Sequence, residues 1–324
     1  MNFQPYIKEI GRGAEGSRNL SRDEAQTLYG ALLDGEVPDL ELGALLIALR
    51  VKGESPDEMQ GFLAAIDARL PPLPLPPGDC RPVVLPSYNG GRKEANLTPL
   101  LALLLQHFGV PVLVHGLVED FGRVTTARVF AELGVKPQTT LAETAVALAE
   151  KRLAFAPLPL LSPGLSQLLA LRQRLGVRNS AHSLVKLLDP WAGGAVLVAA
   201  ATHPAFIDLM RELMLARGQR GLLLRATEGE PFANPKRQPR LEYIRDGKSK
   251  VLFAAERDSL RELPDLPASN DAPTTARWIE RVVDRKIPLP RPIADQLLTL
   301  LVVSGRVEDW RAAQAILALD TIRL

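Results

Sequence analysis

The first seventy residues set their apolar side chains three and four apart, the repeat of helices that bury one face. In "SRDEAQTLYGALLDGEV", Ser21 stands three residues before Glu24, so hydroxyl and carboxylate can satisfy the free N–H groups of a helix start. "PDLELGALLIALRVKGES" and "SPDEMQGFLAAIDARL" repeat the scheme, with proline near the opening turn, where its fixed φ suits a helix. "PPLPLPPGDCRP" then stops it. That many prolines neither continue a helix nor enter a sheet, which predicts a stiff, extended linker.

Beyond the linker the period changes. Short apolar runs, "VVLPSYN", "VPVLVHG", "LAFAPL", "GGAVLVAAA", "QRGLLLRA" and "SKVLFAAE", are predicted strands, and helical stretches such as "LTPLLALLLQHFG", "TTLAETAVALAEKR" and "PAFIDLMRELMLARG" separate them. This alternation predicts a mostly parallel central sheet flanked by helices, with right-handed crossovers. Between 162 and 190 it lapses into helix, "SPGLSQLLALRQRLGVRNSAHSLVKLLDP", and the tail from about 274 is helical and should cover the sheet. The expected class is α/β. A small discontinuous helical domain, 1–72 joined by the helical segment at about 162–189, accompanies a larger α/β domain over 73–324.

The length of 324 residues, 46% of them hydrophobic, supports two cores. A net charge of +2 rules out a generally basic protein, so any polyanion site must come from local clustering. The single cysteine, Cys80, excludes an internal disulfide framework. The opening "MNFQPYIKEIGRG" has no apolar run of the signal-peptide kind, and Pro and Gly break every apolar stretch below spanning length. The expectation is a cytoplasmic protein without membrane contact.

Ligands of an open parallel sheet collect at the carboxyl ends of its strands. Four loops there, 86–95, 115–126, 156–163 and 225–240, carry Arg92, Lys93, Arg123, Lys236, Arg237 and Arg240, and Arg128 stands two residues beyond the second. Asn89, Gly90 and Gly91 form either an ordinary turn with positive φ or a nest of backbone N–H groups that holds an anion. A second basic cluster lies in "RQRLGVRNSAHSLVK". If its second half is helical from about Asn179, His182 and Lys186 share a face, and Arg172, Arg174 and Arg178 precede them. An ordinary solvated surface is the alternative for both clusters. "GRGAEG" at 11–16 follows a helix rather than a strand and reads as a connector. The four histidines lack metal-ligand spacing, and no GxSxG elbow is present.

The order of these parts, with the loop at 86–91, "HG" at 115–116 and "RQRLGVRNSAHSLVKLLDP", resembles the anthranilate phosphoribosyltransferase family over nearly the whole chain. The resemblance implies a nucleoside-phosphorylase-like fold, a homodimer joined through the helical domain, and phosphoribosyl pyrophosphate bound with Mg²⁺ on a "GTGGDG" loop. At those positions stand Pro86, Ser87, Tyr88, Asn89, Gly90 and Gly91, so the family's aspartate is Gly90. The family's "NIST" survives in part as Asn96, Leu97, Thr98 and Pro99. "KHGNR" has become Val114, His115, Gly116, Leu117 and Val118, and Arg123 is the basic residue kept in the phosphate loop. Arg172 matches the anthranilate-binding arginine, Ser162 stands in place of a histidine, Lys186 in place of a pocket proline, and "EGEP" with Glu228 and Glu230 falls near the second metal position.

Magnesium requires carboxylate and phosphate oxygens in near-octahedral array, whereas arginine and lysine neutralise phosphate directly. "PSYNGGRKEANLTPLLALLL" and "GVRNSAHSLVKLLDP" further resemble a YbiB-type subgroup associated with nucleic-acid binding. The leading expectation is therefore a nucleic-acid-binding homodimer, DNA being the expected partner, with no catalytic residue, metal or cofactor. Its phosphate contacts would be Arg92, Lys93, Arg172, Arg178, His182, Lys186, Lys236 and Arg237, with the loop backbone at Asn89, Gly90 and Gly91. The alternative is a glycosyl- or phosphoribosyltransferase with an altered acceptor. There Asn89 to Gly91 would cradle a phosphate, Arg172 and Lys186 would hold an anionic acceptor, and Mg²⁺ with phosphoribosyl pyrophosphate would be the cofactor and donor. A dimeric scaffold whose cleft takes a protein or metabolite is a third possibility.

Overall fold

The computed structural model describes residues 1–13, 15–120, 122–260 and 264–319. The chain forms two compact units, Met1–Pro72 with Leu158–Pro190, and Leu73–Pro157 with Trp191–Leu324.

In the helical unit, Arg22–Leu33 and Pro56–Asp67 both begin in capping boxes, Ser21 with Glu24 and Ser55 with Glu58. The two helices pack closely enough that a Cβ on Gly61 would lie 2.3 Å from the Arg22 carbonyl oxygen, and Tyr29 stacks on Phe62 at 4.4 Å. Glu58 is fully buried, yet it accepts from Leu20 N at 2.9 Å and Ser55 N and Lys52 Nζ at 2.7 Å, which offsets its desolvation. The helix Pro163–Ala170 joins this core through Gly164, whose missing side chain leaves room for Leu33; a Cβ there would sit 2.2 Å from the Leu33 oxygen.

The sheet unit holds β1 (Val83–Ser87), β2 (Val112–Gly116), β3 (Leu153–Pro157), β4 (Val196–Ala201), β5 (Gly221–Arg225), β6 (Leu241–Arg245) and β7 (Lys248–Phe253). Their order is β3-β2-β1-β4-β5-β6-β7, with the first five parallel. Apolar residues point to both faces, as a sheet covered on both sides requires. Val83, Leu85, Val112, Val114, Val196 and Val198 share one core with Leu100, Leu104, Ile279, Leu297 and Leu301, so helices Thr98–His107, Ala272–Val283 and Arg291–Val303 cover that face.

One strand is unexpected: β6 is absent from the predicted elements, and it pairs antiparallel with both β5 and β7, the one reversed strand in the mostly parallel sheet among the described residues. The cause is the Asp246-Gly247 turn, with φ of 50° and 68°, whose two left-handed residues match the twist of a tight hairpin. The "GRGAEG" stretch follows the helix Gln4–Ile10, and its Ala14 lies outside the described residues. No helix among the described residues is long and apolar enough to cross a membrane.

Candidate functional site

β1 delivers the glycine loop to the carboxyl edge of the sheet, and three of the basic loops meet there. Gly91 pairs with Val124 in both directions, N to O at 2.9 Å and O to N at 2.8 Å, which ties 86–95 to 115–126. Arg123 Nη1 donates to the carbonyl oxygens of Asn89 at 3.2 Å and Gly90 at 3.4 Å, gripping the loop from behind. Those carbonyls turn toward arginine. Their neighbouring N–H groups turn the other way, toward the loop after β5.

There the backbone donors converge on carboxylates. Asn89 N and Gly90 N donate to Glu230 Oε1 at 2.7 and 2.8 Å. Glu230 Oε2 accepts from Ser87 Oγ and, at 3.1 Å, from Thr98 Oγ1. Arg92 N donates to Glu228 Oε2, and Lys93 N lies 3.0 Å from both Glu228 oxygens. The loop is thus an anion nest, and the anions in it are the chain's own side chains. Glu230 is fully buried, and its four donors replace the water it has lost.

The turn Thr227–Glu230 that carries both carboxylates puts Glu228 at φ 54° and Gly229 at φ 98°. Position 229 must be glycine, since a Cβ would fall 1.5 Å from Asn89 Nδ2. Gly90 is equally constrained, with φ 64° and a Cβ position 2.8 Å from the Val124 oxygen. The family's loop aspartate therefore has no place in this loop conformation.

Around the nest lies a buried polar shell. Asn96 Nδ2 donates to Thr126 Oγ1 at 3.0 Å, and Ser87 Oγ lies 2.7 Å from the same hydroxyl. Tyr88 Oη is hydrogen-bonded to His115 Nδ1 at the end of β2. Burial, with the Glu230 charge adding to it, pushes the Tyr88 hydroxyl well above its ordinary range, so Tyr88 keeps its proton.

Magnesium diphosphate does not fit this arrangement. Both oxygens of Glu230 are taken by protein donors, both oxygens of Glu228 face backbone N–H groups, and the described residues contain no cluster of three or more metal-ligating side chains.

The eight expected phosphate contacts divide between the units. Arg92, Lys93, Lys236 and Arg237 belong to the sheet unit, and Arg172, Arg178, His182 and Lys186 to the helical unit. Arg92, Lys93 and Arg237 are exposed, whereas Lys236 is ion-paired with Glu94 at 2.8 Å and Arg240 with Glu242 at 3.0 Å. The helix expected from Asn179 is short, Ala181–Leu184, and tightens into a 3₁₀ turn over Val185–Leu187. Lys186 is buried. Burial, reinforced by Arg178, Arg172 and Lys186, lowers the His182 pKa to about 4, so the ring is uncharged at neutral pH and brings no cation.

Comparison with known proteins decides among the expectations. A family model described as "Glycosyl transferase family, helical bundle domain" matches residues 4–69. The Escherichia coli (strain K12) protein described as "Uncharacterized protein YbiB" is 44% identical over 306 residues, 94% of this chain and 95% of its own. Anthranilate phosphoribosyltransferase 2 of Ralstonia nicotianae is 30% identical over 316 residues, 95% of this chain and 89% of the relative. This chain belongs to the anthranilate phosphoribosyltransferase-like family. The fold of the family agrees: the crystal structure of the Thermus thermophilus anthranilate phosphoribosyltransferase matches with a TM-score of 0.72 at 24% identity, over 96% of this chain and 92% of that one.

Membership corrects the leading functional expectation. The family is one of glycosyl and phosphoribosyl transferases, which replaces the DNA-binding assignment with the alternative, a glycosyl- or phosphoribosyltransferase-like scaffold. Two residues on which the DNA assignment drew now have other physical roles, Lys236 as the partner of Glu94 and His182 as a neutral, half-buried ring. Glu228 and Glu230 were legible only as a motif near a metal position; nothing in their sequence context shows that they fill the nest. Tyr88 and Thr98 are marked only as positions within the family's loop motifs, and Thr126 is not singled out.

Proposed function

We propose that the chain is a glycosyl- or phosphoribosyltransferase-type protein whose glycine loop receives the phosphate of a sugar phosphate, with an acceptor other than anthranilate. One observation carries this: the N–H groups of Asn89, Gly90, Arg92 and Lys93 all point at oxyanions, here the carboxylates of Glu230 and Glu228. A carboxylate in such a nest stands where a phosphate oxygen would stand. Ligand entry requires the 227–230 turn to withdraw, and the left-handed φ of Glu228, which costs a non-glycine residue about 1 kcal/mol or more, favours that movement.

The chain's residues then divide the work. Loop N–H groups and the Ser87 and Thr98 hydroxyls bind phosphate oxygens, Arg123 fixes the loop, and the Tyr88–His115 pair holds its base. On the helical unit, the positions corresponding to the family's acceptor contacts carry Arg172, Lys186 and Ser162, two cations and a hydroxyl suited to an anionic acceptor smaller or more polar than anthranilate. Because magnesium is poorly accommodated, donor binding should not require it. Calorimetry with phosphoribosyl pyrophosphate and ribose 5-phosphate, with and without Mg²⁺, tests this on the wild type and on Glu230→Ala. The expected result is magnesium-independent binding, tighter in the variant. Absence of binding to both folded proteins would refute it.

Self-association through the helical unit is part of the same proposal. Leu40, Ile47 and Val51 lie along one side of the helix Asp39–Lys52 and are 81%, 38% and 76% exposed, an apolar stripe that a second copy would cover. Light scattering should give a dimer for the wild type and a monomer for the double variant Leu40→Glu, Val51→Glu; a monomeric wild type would refute it.

A further inference from the structure

The opposite edge of the sheet holds a second concavity, remote from the glycine loop. It is formed where the chain enters β1, β4 and β5 and where β6 turns into β7, and its volume is about 810 Å³. That is within the size range of small-molecule sites. Four cations line it, Arg81, Arg220, Arg245 and Lys250, against two carboxylates, Asp79 and Glu308. Leu252, Val302 and Trp310 give it an apolar and aromatic wall.

The cations are not equally committed. Arg245 is ion-paired with Asp246 at 2.7 Å, and Arg81 spends one N–H on the Gly194 carbonyl oxygen at 3.0 Å. The Arg220 guanidinium has no hydrogen bond or ion pair among the described residues, although it is half-buried. Burial, with Arg81 and Arg245 as like-charged neighbours, lowers its pKa against the opposing influence of Tyr243 and Asp246. A half-buried guanidinium with five donors, no acceptor and two arginines beside it is a costly arrangement that an oxyanion would relieve.

We propose that this cavity is a second binding site, for a small organic phosphate whose other end is apolar or aromatic. The phosphate is held by Arg220 with Arg81 and Lys250, in the forked geometry that guanidinium offers to phosphate, and the organic group lies against Trp310 and Leu252. Phosphate is favoured over carboxylate by the donors: Arg220, Arg81 and Lys250 can serve three oxygens, where a carboxylate offers two.

The test is a titration of the full chain with phenyl phosphate, read by tryptophan fluorescence because Trp310 is in the wall. Inorganic phosphate, benzoate and phenol serve as separate arms. Phenyl phosphate should saturate, with each of the other probes at least about tenfold weaker, the worth of one charged hydrogen bond or one buried apolar group. Arg220→Gln and, separately, the exposed Lys250→Gln should each weaken phenyl phosphate by about tenfold. The proposal fails if the folded wild type shows no saturable response, if phenol binds as well as phenyl phosphate, or if both cavity variants bind like the wild type.

Discussion

Glu230→Ala is the most direct perturbation of the nest. The side chain accepts from two backbone N–H groups at 2.7 and 2.8 Å and from two hydroxyls. The hydroxyls can turn elsewhere, since Thr126 Oγ1 lies 2.7 Å from Ser87 Oγ, but the N–H groups of Asn89 and Gly90 cannot. Two bonds to a charged acceptor are worth about 3–6 kcal/mol together. Removing a buried carboxylate whose described partners include no cation recovers several kcal/mol of desolvation, and water enters the space left behind. The net loss of stability should be about 1–3 kcal/mol in buffer without a competing oxyanion. Phosphate should then take the carboxylate's place. At a hundred times its Kd it returns about 2.7 kcal/mol, or about 5–10 °C in Tm for a domain of this size. Thermal unfolding in phosphate and in chloride at equal ionic strength is the assay. The variant should be rescued by phosphate and the wild type, whose nest is filled, much less. Equal responses of the two proteins would refute the nest.

Three further outcomes are expected. The depressed His182 pKa, about 4 against 6.5, means that the unfolded chain binds its proton first as pH falls, so the contribution of this ring to stability is complete above about pH 6.5 and is lost as pH drops through about 4. Denaturation of His182→Asn should lose that dependence, and an NMR titration that places the imidazole near 6.5 would contradict it. Gly164→Ala forces a methyl group into the Leu33 carbonyl and should cost about 1–3 kcal/mol or more by urea denaturation, whereas a neutral effect would show that the two helices separate freely. Gly90→Asp, which restores the residue of the family's loop, should lower Tm without creating magnesium-dependent binding, because φ 64° and the 2.8 Å approach of Val124 exclude the new side chain; a gain of magnesium-dependent donor binding in calorimetry would overturn this.

Much of the fold is written in local pattern. The capping boxes at Ser21 and Ser55 and the buried runs that become β1 to β5 depend on neighbours within a few residues, and periodicity reads them directly. β6 escaped because "LEYIR" alternates with Glu242 and Arg245 near the sheet's edge, although the Asp-Gly that follows is a hairpin signal in its own right. The site was half legible. Arg92, Lys93 and Lys236 are visibly basic and the glycines visibly special. Their partners are not visible, since Glu230 and Glu228 lie 141 and 136 residues from Asn89 and Arg92, and whether a lysine is available or ion-paired is decided by such distant neighbours. The neutrality of His182 is likewise a property of packing, which spacing alone does not show.

The loss of the loop aspartate and the capture of Glu230 are physically linked. A loop with glycine at 90 adopts φ 64°, aims its N–H groups outward and, with Arg123 bound to its carbonyls, presents a concentrated positive end that has to be met by an anion. The carboxylate missing from the loop is supplied by the turn opposite. On the proposed function, a sugar phosphate competes with an anion tethered to the same chain, and its apparent Kd is the intrinsic value divided by the fraction of molecules in which the turn has withdrawn. If that fraction were about one in a hundred, the wild type would bind about a hundredfold more weakly than a protein without the carboxylate. The affinity ratio between Glu230→Ala and the wild type hence measures the open fraction, and a ratio of one would mean that the carboxylate does not compete at all.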